Sequence, residues 1–204
     1  MDKPELMILK LFPDITKMNA LLKNIVGEMP DTDDPAEAIR RVNAHEWVVR
    51  QADLLKQVTK VVIDGAKEFY AKDHLKEANI GWTSDSFNKL FLNKREKDVA
   101  ATTIAVHNLE RDSLDAPIMT ELGDRTETQL TNFFELLKRQ SKGEEGTLLV
   151  NGRANIAYNR GTDDNLWAVV AYWNSGHGYW DLDAYSVENL LGWIAGRQVI
   201  SRDS

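Results

Sequence analysis

The sequence predicts an α+β protein: a helical N-terminal part of several helices, followed by a small antiparallel β-meander. Two observations predict it. Through the first 140 residues, apolar side chains recur at three- and four-residue spacing, the period of a helix face. From Gly143 onward the composition changes: eight of the 12 glycines and four of the six tryptophans (Trp167, Trp173, Trp180, Trp193) lie there, in short aromatic runs divided by turn residues.

Taken in order, residues 4–12 lie between Pro4 and Pro13 and read as a short helix or an extended arm. Ile15, Met18, Leu21, Leu22, Ile25 and Val26 then keep helical spacing until Gly27 and Pro30 end it. Asp34 is a natural N-cap, with Pro35 at the first helical position and Glu37 in the first turn, so a long helix is expected over about 35–71. Val48, Leu55, Val58, Val62 and Phe69 form a seam along it, either against the rest of a helical bundle or against another chain in a homo-oligomer or protein complex. Gly65 is its weak point. Beyond the break at Gly81-Trp82-Thr83-Ser84, Ser84 or Thr83 caps a helix containing Phe87, Leu90, Phe91 and Leu92. A further helix is expected over 98–111, a loop containing Pro117 and Gly123 over 112–123, and a helix over 126–140 with Leu130, Phe133, Phe134 and Leu137 on one face.

Residues 1–140 thus read as a helical domain, 141–147 as a flexible hinge, and 148–204 as a tryptophan-rich antiparallel β module. The strands are expected at 154–160, 166–173, 179–187 and 197–202, with the first two loops of about five residues acting as hairpin connections.

The composition excludes several classes. There is no cysteine, hence no disulfide, no thiolate nucleophile and no Cys-based zinc or iron–sulfur site. The net charge is -7, which argues against a general nucleic-acid binder. No apolar run approaches the ~20 residues that a membrane span needs, and the first residues lack the pattern of a signal peptide. A cytoplasmic location is expected, with no membrane partner.

The spaced pattern Ala154-Asn155-Ile156, Tyr158, Arg160, Leu166-Trp167-Ala168-Val169, Trp173, Gly178-Tyr179-Trp180, Ala184-Tyr185-Ser186-Val187, Trp193 and Gln198-Val199-Ile200-Ser201-Arg202 resembles a C-terminal module of small uncharacterised bacterial proteins. The resemblance spans about residues 153–204; it implies a real folding unit and no particular activity. Residues 1–150 carry no comparable resemblance.

His177-Gly178-Tyr179-Trp180-Asp181-Leu182-Asp183 is the strongest local constellation. In a strand, residues two apart share a face, so Tyr179, Asp181, Asp183 and Tyr185 line one side. Three readings follow. Two carboxylates near a loop histidine suit a divalent cation, which would make Asp181, Asp183 and His177 candidate ligands of a metal-dependent hydrolase. Tyrosine and tryptophan beside Asp, Asn and Arg suit a sugar or peptide groove, with Asn155, Asn159 and Arg160 contributing from the first strand. The plainest reading is a half-solvated strand with its polar side wet. Trp167 and Trp180 are expected in the core, whereas Trp173 and Trp193 suit core and groove equally.

The other histidines, His45, His74 and His107, stand apart on expected helices. His45-Glu46 does not continue into a helical zinc-protease motif, and no phosphate-binding glycine loop or nucleophile elbow is present. With no complete catalytic motif, a non-enzymatic role leads and no cofactor is expected. The expected protein is an interaction or binding protein: a helical scaffold presenting a β module to a protein or glycan partner. The alternatives are the hydrolase centred on Asp181 and Asp183, and an acidic regulatory protein acting through its helices.

Overall fold

The computed structural model describes residues 53–189 and 192–203. The chain divides into two compact units at residues 53 and 54, and the second unit, Leu54–Ser204, holds nearly all of the described residues. The expected helix from Ile15 to Val26, the cap at Asp34 and the seam residue Val48 lie outside them.

Strands dominate this unit. The order is β1 (Leu55–Ile63), β2 (Ala66–Tyr70), α1 (Ala71–His74), β3 (Ile80–Thr83), α2 (Asp85–Leu90), β4 (Arg95–Val99), β5 (Thr102–Leu109), α3 (Asp115–Leu122), β6 (Glu127–Thr128), α4 (Leu130–Arg139), β7 (Asn155–Arg160), β8 (Leu166–Asn174), β9 (Tyr179–Ser186) and β10 (Gln198–Arg202). Eight strands form one mixed sheet along the path β1-β5-β10-β7-β8-β9-β3, with β6 also on β7, and β2 and β4 make a separate antiparallel pair. Among the described residues no helix is long and apolar enough to cross a membrane.

This corrects the expected fold class. The described part of the predicted helix over 35–71 is β1 and β2, and the predicted helix over 98–111 is largely β5. The described residues therefore form no helical N-terminal part and no helical bundle. The reason lies in the side chains: Val58, Thr59, Val61, Val62 and Ile63 in β1, and Thr102, Thr103, Ile104 and Val106 in β5, are β-branched. Such residues lose rotamer freedom against the preceding turn of a helix and pack well on a pleated sheet. A register shift between Gln57 and Thr59 also breaks strict alternation in β1, which leaves a spacing that mimics a helix. The expected seam dissolves accordingly: Leu55 is buried, Val58 and Val62 are exposed on β1, and Phe69 packs edge-on against Phe134 from β2, ring centroids 5.2 Å apart.

A second correction concerns 112–123, where α3 replaces the expected loop. Pro117 is its third residue, a position whose N–H has no intrahelical acceptor to lose. Other elements match the expectation. Ser84 caps α2, its Oγ accepting the Phe87 N–H at 3.1 Å, and α4 lies inside 126–140. β7, β8 and β9 form an antiparallel meander. The last strand does not extend it: β10 leaves the meander order, pairing parallel to β7 and antiparallel to β5.

The sheet runs across the expected hinge, and Gln140 fastens that segment. Its Nε2 donates to the Glu144 and Leu148 carbonyls at 2.9 and 3.0 Å, and its Oε1 accepts from the Leu148 N–H at 2.7 Å. Gly143, at φ +71°, lies so close to the Trp173 ring that an added Cβ would sit 2.2 Å from it.

Each face of the sheet carries its own core. On the first face, Phe87, Leu90 and Phe91 from α2 and its C-terminal end join Phe133, Phe134 and Leu137 of α4 over Ala157, Val169, Ala171, Trp180, Leu182 and Ile200. On the second, Ile118 and Leu122 of α3 cover Leu109, Ile156, Tyr158, Ala168, Val170 and Val199. Each large side chain so buried contributes roughly 1.5–3 kcal/mol.

Candidate functional site

Alternation along β9 turns Trp180, Leu182 and Ala184 into the first face. Tyr179, Asp181, Asp183 and Tyr185 therefore point to the second. The β8 register sets Tyr172 opposite Asp181 and Ala168 opposite Tyr185. Beside these residues is a pocket of about 170 Å³, lined by Asp115, Tyr172, Tyr185, Asn189, Gly192, Trp193 and Arg197.

The chain between β9 and β10 builds one wall of this pocket by clasping the start of α3. Trp193 N–H donates to the Ser113 carbonyl at 2.6 Å and Ser113 N–H returns to the Trp193 carbonyl at 2.9 Å. The Ala195 N–H donates to Asp112 Oδ1 at 2.8 Å. Beneath this clasp Asp115 is 2 % exposed. Its Oδ1 accepts from the Tyr158 hydroxyl and from the Trp193 indole N–H, each at 2.7 Å. Burial pushes the Asp115 carboxyl up from the ordinary range, while the two donors pull it back. Burial and the neighbouring Asp115 push the Tyr158 phenol far above its ordinary value.

The pocket's other walls are aromatic. Tyr185 meets Trp193 edge-on at 5.8 Å, and the Arg197 guanidinium lies 5.7 Å from the Trp193 ring centre. The Tyr172 phenol is raised by burial, against its contact with Tyr185 and the charge of Arg197. The Tyr185 phenol is raised by burial and by its bond to Asp183. Both tyrosines therefore stay neutral hydrogen-bonding groups at physiological pH, beside one cation and one buried carboxyl.

Further along this face, Asn174 joins two of the expected site residues. Its Nδ2 donates to Asp181 Oδ2 at 2.9 Å, and its Oδ1 lies 3.2 Å from His177 Nδ1. His177 leans over the Tyr179 ring at 5.3 Å. Asp181 Oδ1 has no hydrogen-bond partner among the described residues. The Asn174 amide thus links the carboxylate to the imidazole. Among the described residues no group of three or more His, Asp or Glu side chains is placed to hold a metal ion.

The remaining expected residues lie elsewhere. Asn155 is buried, its carboxamide accepting from the Leu149 N–H at 2.8 Å and donating to the Leu149 and Ala171 carbonyls. Arg160 makes a two-pronged pair with Glu127, at 3.1 and 2.6 Å. Trp173 packs edge-on against Trp180 at 5.2 Å within the first face's core. The structure thus gathers Tyr185 with Asp183, and His177, Tyr179 and Asp181 around Asn174, but not Asn155, Arg160 or Trp173.

Sequence reasoning missed Asp115, Tyr158, Tyr172 and Arg197. Asp115 had a readable signal, because it opens a stretch with Pro117 in its first turn and Gly123 at its end. Arg197, just before β10, had none. Comparison with protein-family models, with curated proteins and with solved structures finds no match for this chain.

Proposed function

We propose that this chain is a binding module that takes one sugar residue of a glycan in the pocket between Tyr172, Tyr185, Trp193 and Arg197. One observation carries this reading: two tyrosines, a tryptophan, an arginine and a buried carboxyl converge on a single cavity of about 170 Å³. A cavity of roughly 150 Å³ accepts benzene, so this one has room for a single six-membered ring. Aromatic walls match the C–H face of a pyranose, and the phenols and guanidinium supply fixed hydrogen-bonding directions to its hydroxyls. The clasp between Trp193 and Ser113 holds that wall in place before any ligand arrives, which lowers the ordering cost of binding.

The test is a titration with neutral, amino and acidic monosaccharides and their short oligomers, followed by tryptophan fluorescence and by melting temperature. At least one sugar is expected to bind at millimolar concentration or better. Arg197→Gln should weaken it about tenfold, or about 1.4 kcal/mol, and leave the melting temperature of the free protein unchanged. Absence of any response across the panel, or a response that Arg197→Gln and Tyr172→Phe both leave intact, would rule the reading out.

A further inference from the structure

We infer that the pocket beside Trp193 selects an amino sugar with a free amine, held as its ammonium by the second carboxyl oxygen of Asp115. This rests on the reading of that pocket as a sugar site and names the class of sugar it takes.

The carboxyl of Asp115 is used unevenly. Its Oδ1 accepts both the Tyr158 hydroxyl and the Trp193 indole N–H, each at 2.7 Å. Among the described residues no donor reaches Oδ2. Oδ2 nevertheless keeps contact with solvent, unlike Asp181 Oδ1, which is both unpartnered and shut off from it. Asp115 lines the cavity of about 170 Å³, so its open oxygen meets the space a ligand would fill. At 2 % exposure the residue has lost nearly all of its hydration. An oxygen withdrawn from water and left without a donor costs free energy, and a donor carried by the ligand restores the loss.

Charge decides which donor fits. A neutral sugar offers only hydroxyls to Oδ2, whereas an amino sugar also offers an ammonium. Carboxylates gather around this pocket: besides Asp115, Asp181 sits opposite Tyr172 in the β8–β9 register, and Asp183 is bonded to the Tyr185 phenol. Among the described lining residues Arg197 is the one basic side chain. Its guanidinium lies against the Trp193 ring and donates to the Ile194 carbonyl at 3.3 Å, and it forms no ion pair with Asp115. The negative charge of Asp115 is therefore answered only by two uncharged donors. A hydrogen bond between two charged groups is roughly twice as strong as a neutral one, and the low dielectric of a nearly buried site strengthens it further. An ammonium gains at Oδ2 what a hydroxyl does not, and N-acetylation removes that gain by removing the charge.

The experiment is a calorimetric titration at near-neutral pH of glucosamine, galactosamine and mannosamine, each beside its N-acetyl form and its parent hexose. At least one free amino sugar should bind tenfold or more tighter than both its counterparts. Asp115→Asn keeps an oxygen for the Tyr158 and Trp193 donors and sets an amide N–H where Oδ2 stood. It should erase the preference for the amine while the protein still melts cooperatively. Arg197→Gln removes a like charge from the pocket and should keep or widen the preference, even as it weakens sugars in general. Hexoses or N-acetyl sugars that bind as tightly as the free amines would overturn this proposal and leave the sugar pocket standing. No binding by any sugar would overturn both. A preference for the amine that persists in folded Asp115→Asn would also overturn it.

Discussion

The two faces of the sheet are built from different materials. The first face is covered by α2 and α4 with phenylalanines and leucines, over alanine, valine and tryptophan. The second is covered by the single helix α3, and polar groups are set into it: Asp115, Tyr158, His107 and Ser201 are all nearly inaccessible. The first face also buries Gln140 and Asn155, but their carboxamides bond backbone groups, so they serve the fold alone. A buried carboxyl needs every donor it has, and a fold that keeps one pays in desolvation for a group with chemistry to offer. The comparison teaches that side chains removed from the first face should cost stability, whereas those removed from the second should also alter what the pocket can do.

The largest effect is expected on the first face. Phe134 is fully buried and meets Phe69 edge-on. Phe134→Ala should cost about 3–5 kcal/mol by urea denaturation, through lost transfer energy and a residual cavity. A loss under about 1 kcal/mol would show that the two faces do not differ as described. A middling effect is expected on the second face. Tyr158→Phe keeps the ring and removes one of the two donors to Asp115 Oδ1. It should cost about 1–3 kcal/mol, and it should also change the response of the pocket to sugars, which Phe134→Ala should not.

The smallest effect is a pH dependence, again from the second face. Burial pushes the His107 imidazole below its ordinary value of 6.5, and the charge of Arg125 lowers it further, against Glu121 and Asp203. The unfolded chain therefore binds a proton that the folded chain refuses. The stability that follows is full above the ordinary value and is lost as the pH falls through it toward the lowered one. Melting temperatures taken from neutral to mildly acidic pH should fall in the parent protein and fall less in His107→Gln. His107 Nε2 lies 3.0 Å from Ser201 Oγ, so the glutamine retains a polar partner for that hydroxyl.

Legibility in the sequence followed the distance between partners along the chain. The meander is readable because β7, β8 and β9 are neighbours in sequence and their loops carry the turn residues that demand reversal. β1 and β5 are harder: Leu55 pairs with Leu109, and nothing near either residue announces the other. Apolar spacing there suited a helix, and the run of β-branched side chains was the stronger signal. α3 was hidden by treating Pro117 as a breaker rather than as a first-turn residue. The same logic divides the pocket. The shared face of Tyr179, Asp181, Asp183 and Tyr185 follows from alternation alone. The bond from Trp193 to Asp115 joins residues 78 positions apart, and only the folded sheet brings them together.

The placement of β10 has a consequence for synthesis on the ribosome. This strand lies between β5 and β7, in the middle of the sheet, although it is the last of the ten to be made. Until residues 198–202 have emerged from the exit tunnel, β5 and the meander have no shared neighbour, and each presents an open edge to other chains. Closure of the sheet is then an event between segments far apart in sequence, which is slow compared with local hairpin formation. Nascent chains stalled before Gln198 should accordingly be sensitive to protease and prone to aggregate, and release of the final strand should convert them to the compact form in one step.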